Sequence, residues 1–385
     1  MQKGIAAVFG AGFLQGSAFV LIPALGSILR SSPYDMSNST YGLLYFPEII
    51  GAVLAALAAG SIHKQLGAHG LFRVGVLANA IAMGLLVLAF FSAGSLVVWV
   101  LLAETLLLGI GFGLTNAAIN RSSTLIFAGS ATAAVTILNA VIGGATSISP
   151  MLLHLSVSWM SWVLWPAILL IAWLATLLLP QADEPEKSEI GGLAAWRRSM
   201  IPFALAVVVY AICEGSFGSW ANILVSVDHH LPAATGAAAL SLFWGGMTVA
   251  RFALGSMPDQ WLSRRWVYRA APLGMAICFL IIPHLQSATS LLLFFALAGA
   301  ACGIYYPYSM AFGVARHGKE GTQMAGLLVG ALMVGEGIGS TALGPLQNWI
   351  SLNQIYSFSA LWAIPLLWLA WHNSRPVHAP GTAHG

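Results

Sequence analysis

Apolar residues run along this chain in long, nearly unbroken segments that are separated by short polar stretches. Each segment contains about 20 residues, which as a helix is enough to cross the hydrocarbon core of a bilayer. A barrel strand would alternate polar and apolar residues, and runs such as 162–179 do not alternate. The pattern predicts an all-α membrane protein with twelve transmembrane helices. These spans, numbered in chain order, are expected at 5–29, 40–62, 71–92, 96–119, 131–154, 158–179, 200–226, 235–257, 267–285, 290–313, 323–346 and 354–372.

The composition agrees with a chain that lies in lipid. Only 7% of its residues are charged, whereas a soluble domain is about a quarter charged. The first apolar run, about 25 residues long, exceeds the apolar region of a cleaved signal peptide, so we expect it to remain as span 1. The three cysteines, Cys213, Cys278 and Cys302, all lie within spans. We expect them to be packing residues rather than disulfide or metal partners.

The distribution of positive charge predicts the orientation. If the N-terminus is cytoplasmic, thirteen of the fifteen Lys and Arg residues fall on cytoplasmic segments, with Arg30 outside and Arg251 within a span. Cationic residues collect on the cytoplasmic side of multi-pass proteins. The sequence therefore predicts an inner (plasma) membrane protein with both termini in the cytoplasm. Its net charge of +3 reflects this topology, and we expect no nucleic acid as a partner.

One polar stretch divides the chain into two halves. Residues 181–199 hold four acids and three bases, so we expect residues 1–180 to form an N-terminal six-helix half, 181–199 a central cytoplasmic loop, and 200–385 a C-terminal six-helix half with a short cytoplasmic tail. The halves also look like repeats offset by about 195 residues. Four matches carry this reading: 60–62 with 255–257, Gln65 with Gln260, Arg121 with Arg316, and Pro150 with Pro345.

The loop after span 8 carries a recognisable motif. It reads Gly255-x-x-x-Asp259-x-x-x-x-Arg264-Arg265, and the loop after span 2 carries a degenerate copy with Lys64 in place of the acid. With its two six-helix halves and this motif, the chain resembles the major facilitator superfamily over nearly its whole length. The resemblance implies a cytoplasmic latch at Asp259, Arg264 and Arg265, with Arg251 as a partner. A solvated loop carboxylate is the alternative for Asp259.

Three passages are similar to the fucose/glucose permease branch of that superfamily. They are the glycine-rich run 109–120 in span 4, the run 213–220 around Glu214 and Trp220 in span 7, and 303–307 with an aromatic-Pro pair in span 10. The resemblance implies carboxylates in spans 1 and 4 of proton-coupled members. This chain has Phe19 and Asn116 there, and it keeps amides nearby at Gln15 and Asn120.

Four glutamates lie deep inside apolar runs: Glu48, Glu104, Glu214 and Glu336. An ionisable side chain in a span is costly unless it faces a cavity or a partner. Glu214 and Glu336 lie near mid-depth, so we predict that they couple transport to protons and contact substrate. The alternative is a glutamate that is held protonated or hydrogen-bonded to a neighbouring helix.

Further polar and aromatic residues complete the candidate site. We predict that substrate binding also involves Gln15, Asn116, Asn120, Trp220, Tyr305 and Tyr306, and that Tyr41, Tyr45, Glu48 and Glu104 form an outer gate or vestibule. The amides can equally join helices, and the aromatic residues can belong to the membrane-interface belts.

Together these features predict a secondary active transporter of a small polar, sugar-like solute, which works by alternating access with proton coupling and as a monomer. The first alternative is an exporter of drug-like or siderophore-like compounds, and the second is a non-transporting membrane receptor. The sequence holds no phosphate-binding motif for ATP and no catalytic motif. We therefore expect neither an enzyme nor a cofactor, and no metal site.

Overall fold

The computed structural model describes residues 4–126, 131–180, 197–256 and 263–375. Ten helical segments of this part of the chain are long and apolar enough to cross a membrane. One of them, Asn38–Phe90, has 53 residues and contains two spans, and the shorter apolar helix Leu164–Thr176 is span 6. The twelve predicted spans are therefore confirmed. Residues 181–196 of the predicted central loop 181–199 lie outside the described residues.

Spans 2 and 3 are joined by a turn at a single glycine. Gly67 has φ 70° and ψ −178° within the run Tyr45–Phe90, a conformation that a residue without Cβ adopts readily. On either side of it, Glu48 packs against Gly109 and Asn79 against Gly111, two neighbouring positions of span 4. In one continuous helix Glu48 and Asn79 would be about 46 Å apart. The chain must therefore reverse at Gly67, where the sequence predicted a longer loop over 63–70.

The first half contains spans 1–6. Span 1 consists of the helices Ile5–Phe19 and Leu21–Leu29, and span 2 begins with the short helix Asn38–Leu43. Span 4 is Ser95–Ile126, span 5 is Ala131–Trp159 and span 6 is Leu164–Thr176. Span 6 is shorter than the predicted 158–179 at both ends. Span 5 continues to Trp159, and the last turn of span 6 tightens, with bonds from residues 177–179 to the residues three positions earlier, before Pro180 ends it.

The second half contains spans 7–12. Span 7 is Ile201–Ile223, which a π-turn at Leu224–Asp228 extends. The next spans are single helices: Ala233–Ser256, Arg264–Ile281, Ala288–His317 and Gly321–Leu346. Span 12 consists of Leu352–Ser359 and Ala363–Asn373, joined by a 3₁₀ turn at Ala360–Trp362.

Backbone contacts repeat between the two halves. In the first half, a Cβ on Gly109 would overlap the carbonyl of Glu48 in span 2. In the second half, a Cβ on Gly299 would overlap the carbonyl of Phe243 in span 8. Glu48 and Phe243 are 195 positions apart, which is the offset predicted from the sequence, and Gly109 and Gly299 are 190 positions apart, which is close to it. Spans 2 and 4 therefore pack in the same way as spans 8 and 10, as two repeated halves require.

The halves meet at the side of the membrane opposite the N-terminus, called here the far side; the side of the N-terminus is the near side. Asn222 Nδ2 in span 7 donates to the carbonyl of Ala24 in span 1 at 2.7 Å. Asn348, just after span 11, bonds Ser39 of span 2 at 3.1 Å. Deeper in the bilayer, Ser147 Oγ in span 5 donates to the carbonyl of Ser241 in span 8 at 3.0 Å. These contacts close the far side of the interface.

Candidate functional site

A cavity lies between the two halves, below the far-side contacts. Its free volume in this closed arrangement is about 40 Å³. Both halves contribute to its wall. The apolar or backbone part of the wall is formed by Phe19, Val20, Pro23, Ile49, Ala52, Gly109, Phe112, Gly218, Trp244, Met333 and Gly337, and the polar part by Tyr45, Glu48, Ser219, Glu336 and Ser340.

Two carboxyl groups line this cavity, one from each half. Glu48 comes from span 2 and Glu336 from span 11, and their spans touch where Gly337 packs against Ile49. Glu336 lies within electrostatic range of Glu48, Glu214 and Arg251. A cavity with acidic groups on both halves can hold hydroxyl or cationic groups of a ligand across the interface, and each carboxyl group can also carry a proton.

A break in span 1 opens backbone to the same cavity. The helix stops at Phe19 and restarts at Leu21 because Pro23 has no N–H to donate to the carbonyl of Phe19. Phe19, Val20 and Pro23 all line the cavity. Interrupted helices with backbone groups freed from the helical pattern are how many transporter folds build binding sites near the membrane midplane.

Glu214 forms an ion pair within the second half. Its Oε1 lies 3.9 Å from a guanidinium nitrogen of Arg251 in span 8, and Arg251 Nε also donates to the carbonyl of Gly303 in span 10 at 3.3 Å. The hydroxyl of Tyr210, one turn before Glu214, lies close enough to interact with the carboxylate. Arg251, which the resemblance assigned to the latch, therefore pairs with Glu214 inside the membrane.

Glu104 is buried in the first half. Its side chain is 0% exposed, and both carboxyl oxygens lack a hydrogen-bond partner among the described residues. It lies within electrostatic range of Glu48, five residues before the close packing of Gly109 onto span 2. Glu104 therefore stands behind the cavity wall rather than at an outer vestibule.

The predicted outer-gate tyrosines join the two halves just above the cavity. The hydroxyls of Tyr41 and Tyr45 are 2.6 Å apart, and they lie 3.1 and 3.3 Å from the carbonyl oxygen of Ser219 in span 7. The ring of Tyr41 also packs edge-on against Trp220, with centroids 5.1 Å apart. Span 2 is thereby fastened to span 7 on the far side.

Replacing both Tyr41 and Tyr45 with Phe is expected to favour opening of the far side, because it removes the hydroxyls that reach Ser219. The measurement is the labelling rate of a cysteine at Ala52, which lines the cavity, by a membrane-impermeant maleimide added at the far side. We expect labelling to be several times faster than with both tyrosines present.

Tyr356→Phe is the matched control for this gate. The Tyr356 hydroxyl donates to the carbonyl of Ser216 at 3.0 Å, so the bond is similar but joins spans 12 and 7 of the same half. Its removal should leave the labelling rate unchanged. Equal acceleration in the control, or none in the double variant, would show that the two tyrosines do not hold the far side closed.

The amide residues proposed for substrate binding lie outside the cavity wall. Gln15 is 0% exposed, and its Oε1 accepts a bond of 3.1 Å from Asn79 Nδ2, which also reaches Thr115. Asn120 Nδ2 donates to the side chain of Asn116 at 2.7 Å. The first group joins spans 1, 3 and 4, and the second lies further toward the near side of span 4.

Most of the aromatic candidates also pack within the second half. Trp220 is 0% exposed, and its Nε1 donates to the carbonyl of Ser340 at 2.9 Å. Tyr305 is enclosed between Tyr210 and Tyr268, with centroids 5.4 and 4.6 Å away. Tyr306 lies within electrostatic range of Arg251 and Glu214. These residues form the layer behind the cavity rather than its wall.

The predicted latch falls partly outside the described residues. Asp259 is in the segment 257–262, and Arg264 and Arg265 begin span 9 at the near side as exposed residues. The latch therefore stays a prediction.

Two serines of the cavity wall were missing from the candidate site. Ser219 and Ser340 lie on spans 7 and 11, and their hydroxyls are 2.7 Å apart at the cavity wall. Ser340 follows Glu336 by one helical turn, which was a usable signal. Phe19, Phe112 and Trp244 form an aromatic row whose centroids are 5.3 and 6.0 Å apart. Because they come from three spans of two halves, the sequence alone does not bring them together.

Comparison with known proteins supports the same architecture. The structure superposes on the nucleoside transporter NupG with a TM-score of 0.73 at 14% identity, covering 96% of this chain and 99% of that chain. A D-xylose-proton symporter gives 0.71 at 16% identity, covering 96% of both chains. The E. coli fucose:proton symporter FucP gives 0.64 at 18% identity, covering 96% and 98%. At these identities the likeness shows the fold.

The sequence comparison decides the family. No curated protein matches the chain by sequence, and membership in the fucose/glucose permease branch stays a prediction. The sequence profile of the Major Facilitator Superfamily, however, matches residues 5–340, which is most of the chain. The chain belongs to the Major Facilitator Superfamily and is a multi-pass membrane protein of the secondary-transporter class, not an enzyme.

Proposed function

We propose that this transporter moves a small polar, sugar-like solute by alternating access, coupled to protons. The observation that carries the proposal is the cavity between the halves, which has one carboxyl group from each half, Glu48 and Glu336. A proton on either carboxyl changes how strongly the two halves hold a ligand between them. Proton binding and substrate binding can therefore be linked at one place.

The chemistry of the wall suits a ring that bears hydroxyl groups. Tyr45, Ser219 and Ser340 offer hydroxyls, the two glutamates accept hydrogen bonds, and the rings of Phe19, Phe112 and Trp244 offer flat apolar faces. A sugar presents both kinds of surface. Two of the similar structures are named as proton symporters of fucose and of D-xylose, which supports this substrate class.

Export of a lipophilic cation is the second candidate. The observation that favours it is that the cavity wall contains two carboxyl groups and several aromatic residues but no basic side chain. Aromatic faces attract cations as well as apolar rings. The same cavity wall therefore suits either ligand, and transport assays distinguish import of a sugar from export of a cation.

We also propose that the protein lies in the inner (plasma) membrane and that its near side faces the cytoplasm. The support is the charge pattern, because near-side segments carry thirteen of the fifteen cationic residues. In that orientation the contacts of Tyr41, Tyr45 and Asn222 close the extracellular side. The near-side position of Gly4 and Arg375 then makes both termini cytoplasmic.

The experiment is uptake into proteoliposomes with an inward proton gradient, tested with monosaccharides, nucleosides, a siderophore and lipophilic cations. We expect accumulation of a monosaccharide that a protonophore abolishes. Preloaded vesicles should also exchange labelled for unlabelled sugar without a gradient. If no sugar is transported and an outwardly directed cation flux follows the proton gradient, the exporter function replaces the proposed one.

A further inference from the structure

A cluster of arginines lies where spans 9 and 12 reach the near side. Arg265 and Arg269 belong to the first turns of span 9, Arg316 to the end of span 10, and Arg375 follows span 12. Arg269 lies within electrostatic range of Arg265 and Arg375, and Arg316 of Arg375. Positive charges at short range repel one another, and a bound anion replaces this repulsion with attraction.

Contacts within the protein hold this arginine cluster in place. The guanidinium of Arg269 lies 3.9 Å from the ring centroid of Trp371 and 5.6 Å from that of Trp266. Arg269 Nε also donates to Ser374 Oγ at 2.8 Å. Arg316 donates to the backbone carbonyl of Arg375 at 2.8 Å. The cationic groups of Arg269 and Arg316 are therefore positioned in advance of any ligand.

The acids of the described chain do not neutralise the cluster. On the near side these residues include one acid, Glu320, and it is paired with Arg197 at 2.5 Å. The aromatic and hydroxyl contacts of Arg269 leave its charge in place, because neither partner is anionic. Among the described residues, the cluster therefore has no anionic partner.

Apolar surface leads directly to the arginines. On span 9, Leu273, Ile277 and Leu280 are 50%, 52% and 50% exposed. They follow Arg269 at intervals of four, four and three residues, so they share one helical face with it. This face is apolar over three turns and ends in a positive charge.

Span 12 presents the same arrangement beside it. Leu361, Ile364, Trp368 and Trp371 are 60%, 66%, 66% and 50% exposed, and Arg375 follows Trp371 by four residues. The cation–ring contact of Arg269 with Trp371 joins the two faces. The two apolar faces lie side by side and both end in arginines at the same depth. This arrangement matches a phospholipid, whose acyl chains lead to an anionic headgroup.

We propose that Arg265, Arg269, Arg316 and Arg375 bind the phosphate headgroup of an anionic phospholipid, whose acyl chains lie on the exposed faces of spans 9 and 12. Arginine suits this task because its planar fork pairs with phosphate oxygens. Exposed tryptophans such as Trp266 lie at the depth of lipid headgroups. The site is on the outer surface of the second half, away from the central cavity, and it does not depend on the transported substrate.

The test compares phospholipids as stabilising ligands of the purified, delipidated full-length protein. Cardiolipin or phosphatidylglycerol is titrated against phosphatidylcholine, and the rise in unfolding temperature gives an apparent affinity. We expect the anionic lipids to stabilise the protein and phosphatidylcholine to have little effect. Arg269→Gln with Arg375→Gln should weaken the apparent affinity for anionic lipid about tenfold or more.

The control is Arg73→Gln, which removes one charge from the near-side end of span 3, the counterpart of span 9 in the first half; it is compared with Arg269→Gln alone as well as with the double variant. Span 6 is the first-half counterpart of span 12, and residues 174–180 at its end contain no base. Arg73 therefore lacks a neighbouring apolar face that ends in an arginine. The control should keep the full response. Arg269→Lys with Arg375→Lys, which keeps both charges, should retain part of it and so reports on loss of charge separately from misfolding.

Three results would overturn the proposal. The first is an unchanged lipid response in the double Gln variant. The second is equal stabilisation by inorganic phosphate, which would make the cluster a site for free phosphate. The third is a lipid response that appears only after Asp183, Glu184, Glu186 and Glu189 are changed to their amides, which would make the acidic loop the occupant of the cluster.

Discussion

Glu336→Gln is expected to abolish accumulation of substrate against a gradient while leaving exchange of substrate across the membrane intact. Glu336 lines the cavity and lies within electrostatic range of Glu48, Glu214 and Arg251. Glutamine keeps the shape and the hydrogen-bonding oxygen of the side chain but cannot take up or release a proton. Exchange needs no net proton movement, whereas accumulation does.

Uptake and counterflow into the same proteoliposomes measure the two processes separately. Proton-driven accumulation should fall to the level of empty vesicles, and counterflow should stay near that of the unchanged protein. The control is Glu320→Gln, which removes a near-side carboxylate that is paired with Arg197 and should change neither process.

The same assay can assign proton coupling to a residue other than Glu336. If Glu336→Gln still accumulates substrate while Glu214→Gln does not, coupling belongs to the Glu214–Arg251 ion pair behind the cavity. If both variants lose counterflow as well, the glutamates are needed for binding and the assignment of Glu336 to proton coupling is wrong.

A disulfide between the halves is expected to stop transport completely and reversibly. Ser39 in span 2 and Asn348 after span 11 are in hydrogen-bond contact, at 3.1 Å, at the far-side end of the interface. Cysteines at both positions, once oxidised, would fix the far side in its closed arrangement. Alternating access requires these ends to separate, so uptake should vanish on oxidation and return with a reductant.

The control disulfide joins residues at the same depth within one half. His229 Nε2 lies 3.1 Å from Asn353 Oδ1, and both residues belong to the second half. Oxidised cysteines at this pair should leave uptake near normal, because the half moves as a unit. The native cysteines are buried and unpaired, so they add little background. Uptake that survives a complete cross-link of positions 39 and 348 would contradict alternating access.

The spans could be predicted from the sequence because each is a local apolar run whose length is set by the bilayer. The turn at Gly67 was harder, since the polar residues around it resemble those of an ordinary loop. Only the packing of Glu48 and Asn79 onto neighbouring glycines of span 4 shows how tight the reversal is. The shortened span 6 likewise depends on where the last turn changes its hydrogen bonding.

The candidate site was predicted in part. An isolated Glu in an apolar run is costly in lipid and therefore indicates a functional position. Glu48 and Glu336 could be identified for this reason. Their position on one cavity wall depends on how two halves face each other, and the two residues are 288 positions apart in the chain. The pairing of Glu214 with Arg251 was missed for a similar reason, because the residues of spans 7 and 8 that meet are not a fixed distance apart in sequence.

The close backbone packing of span 2 on span 4, and of span 8 on span 10, has an energetic consequence for the transport cycle. These contacts lie inside each half, so rocking of the halves leaves them intact. What must break on the far side is the packing between the halves, such as that of Gly42 against Gly344, and a handful of hydrogen bonds, from Tyr41, Tyr45, Asn222 and Asn348. Each hydrogen bond has a net worth of about 1 kcal/mol. A substrate that binds with millimolar to micromolar affinity supplies about 4–8 kcal/mol, so a modest preference for one state is enough to redistribute the population.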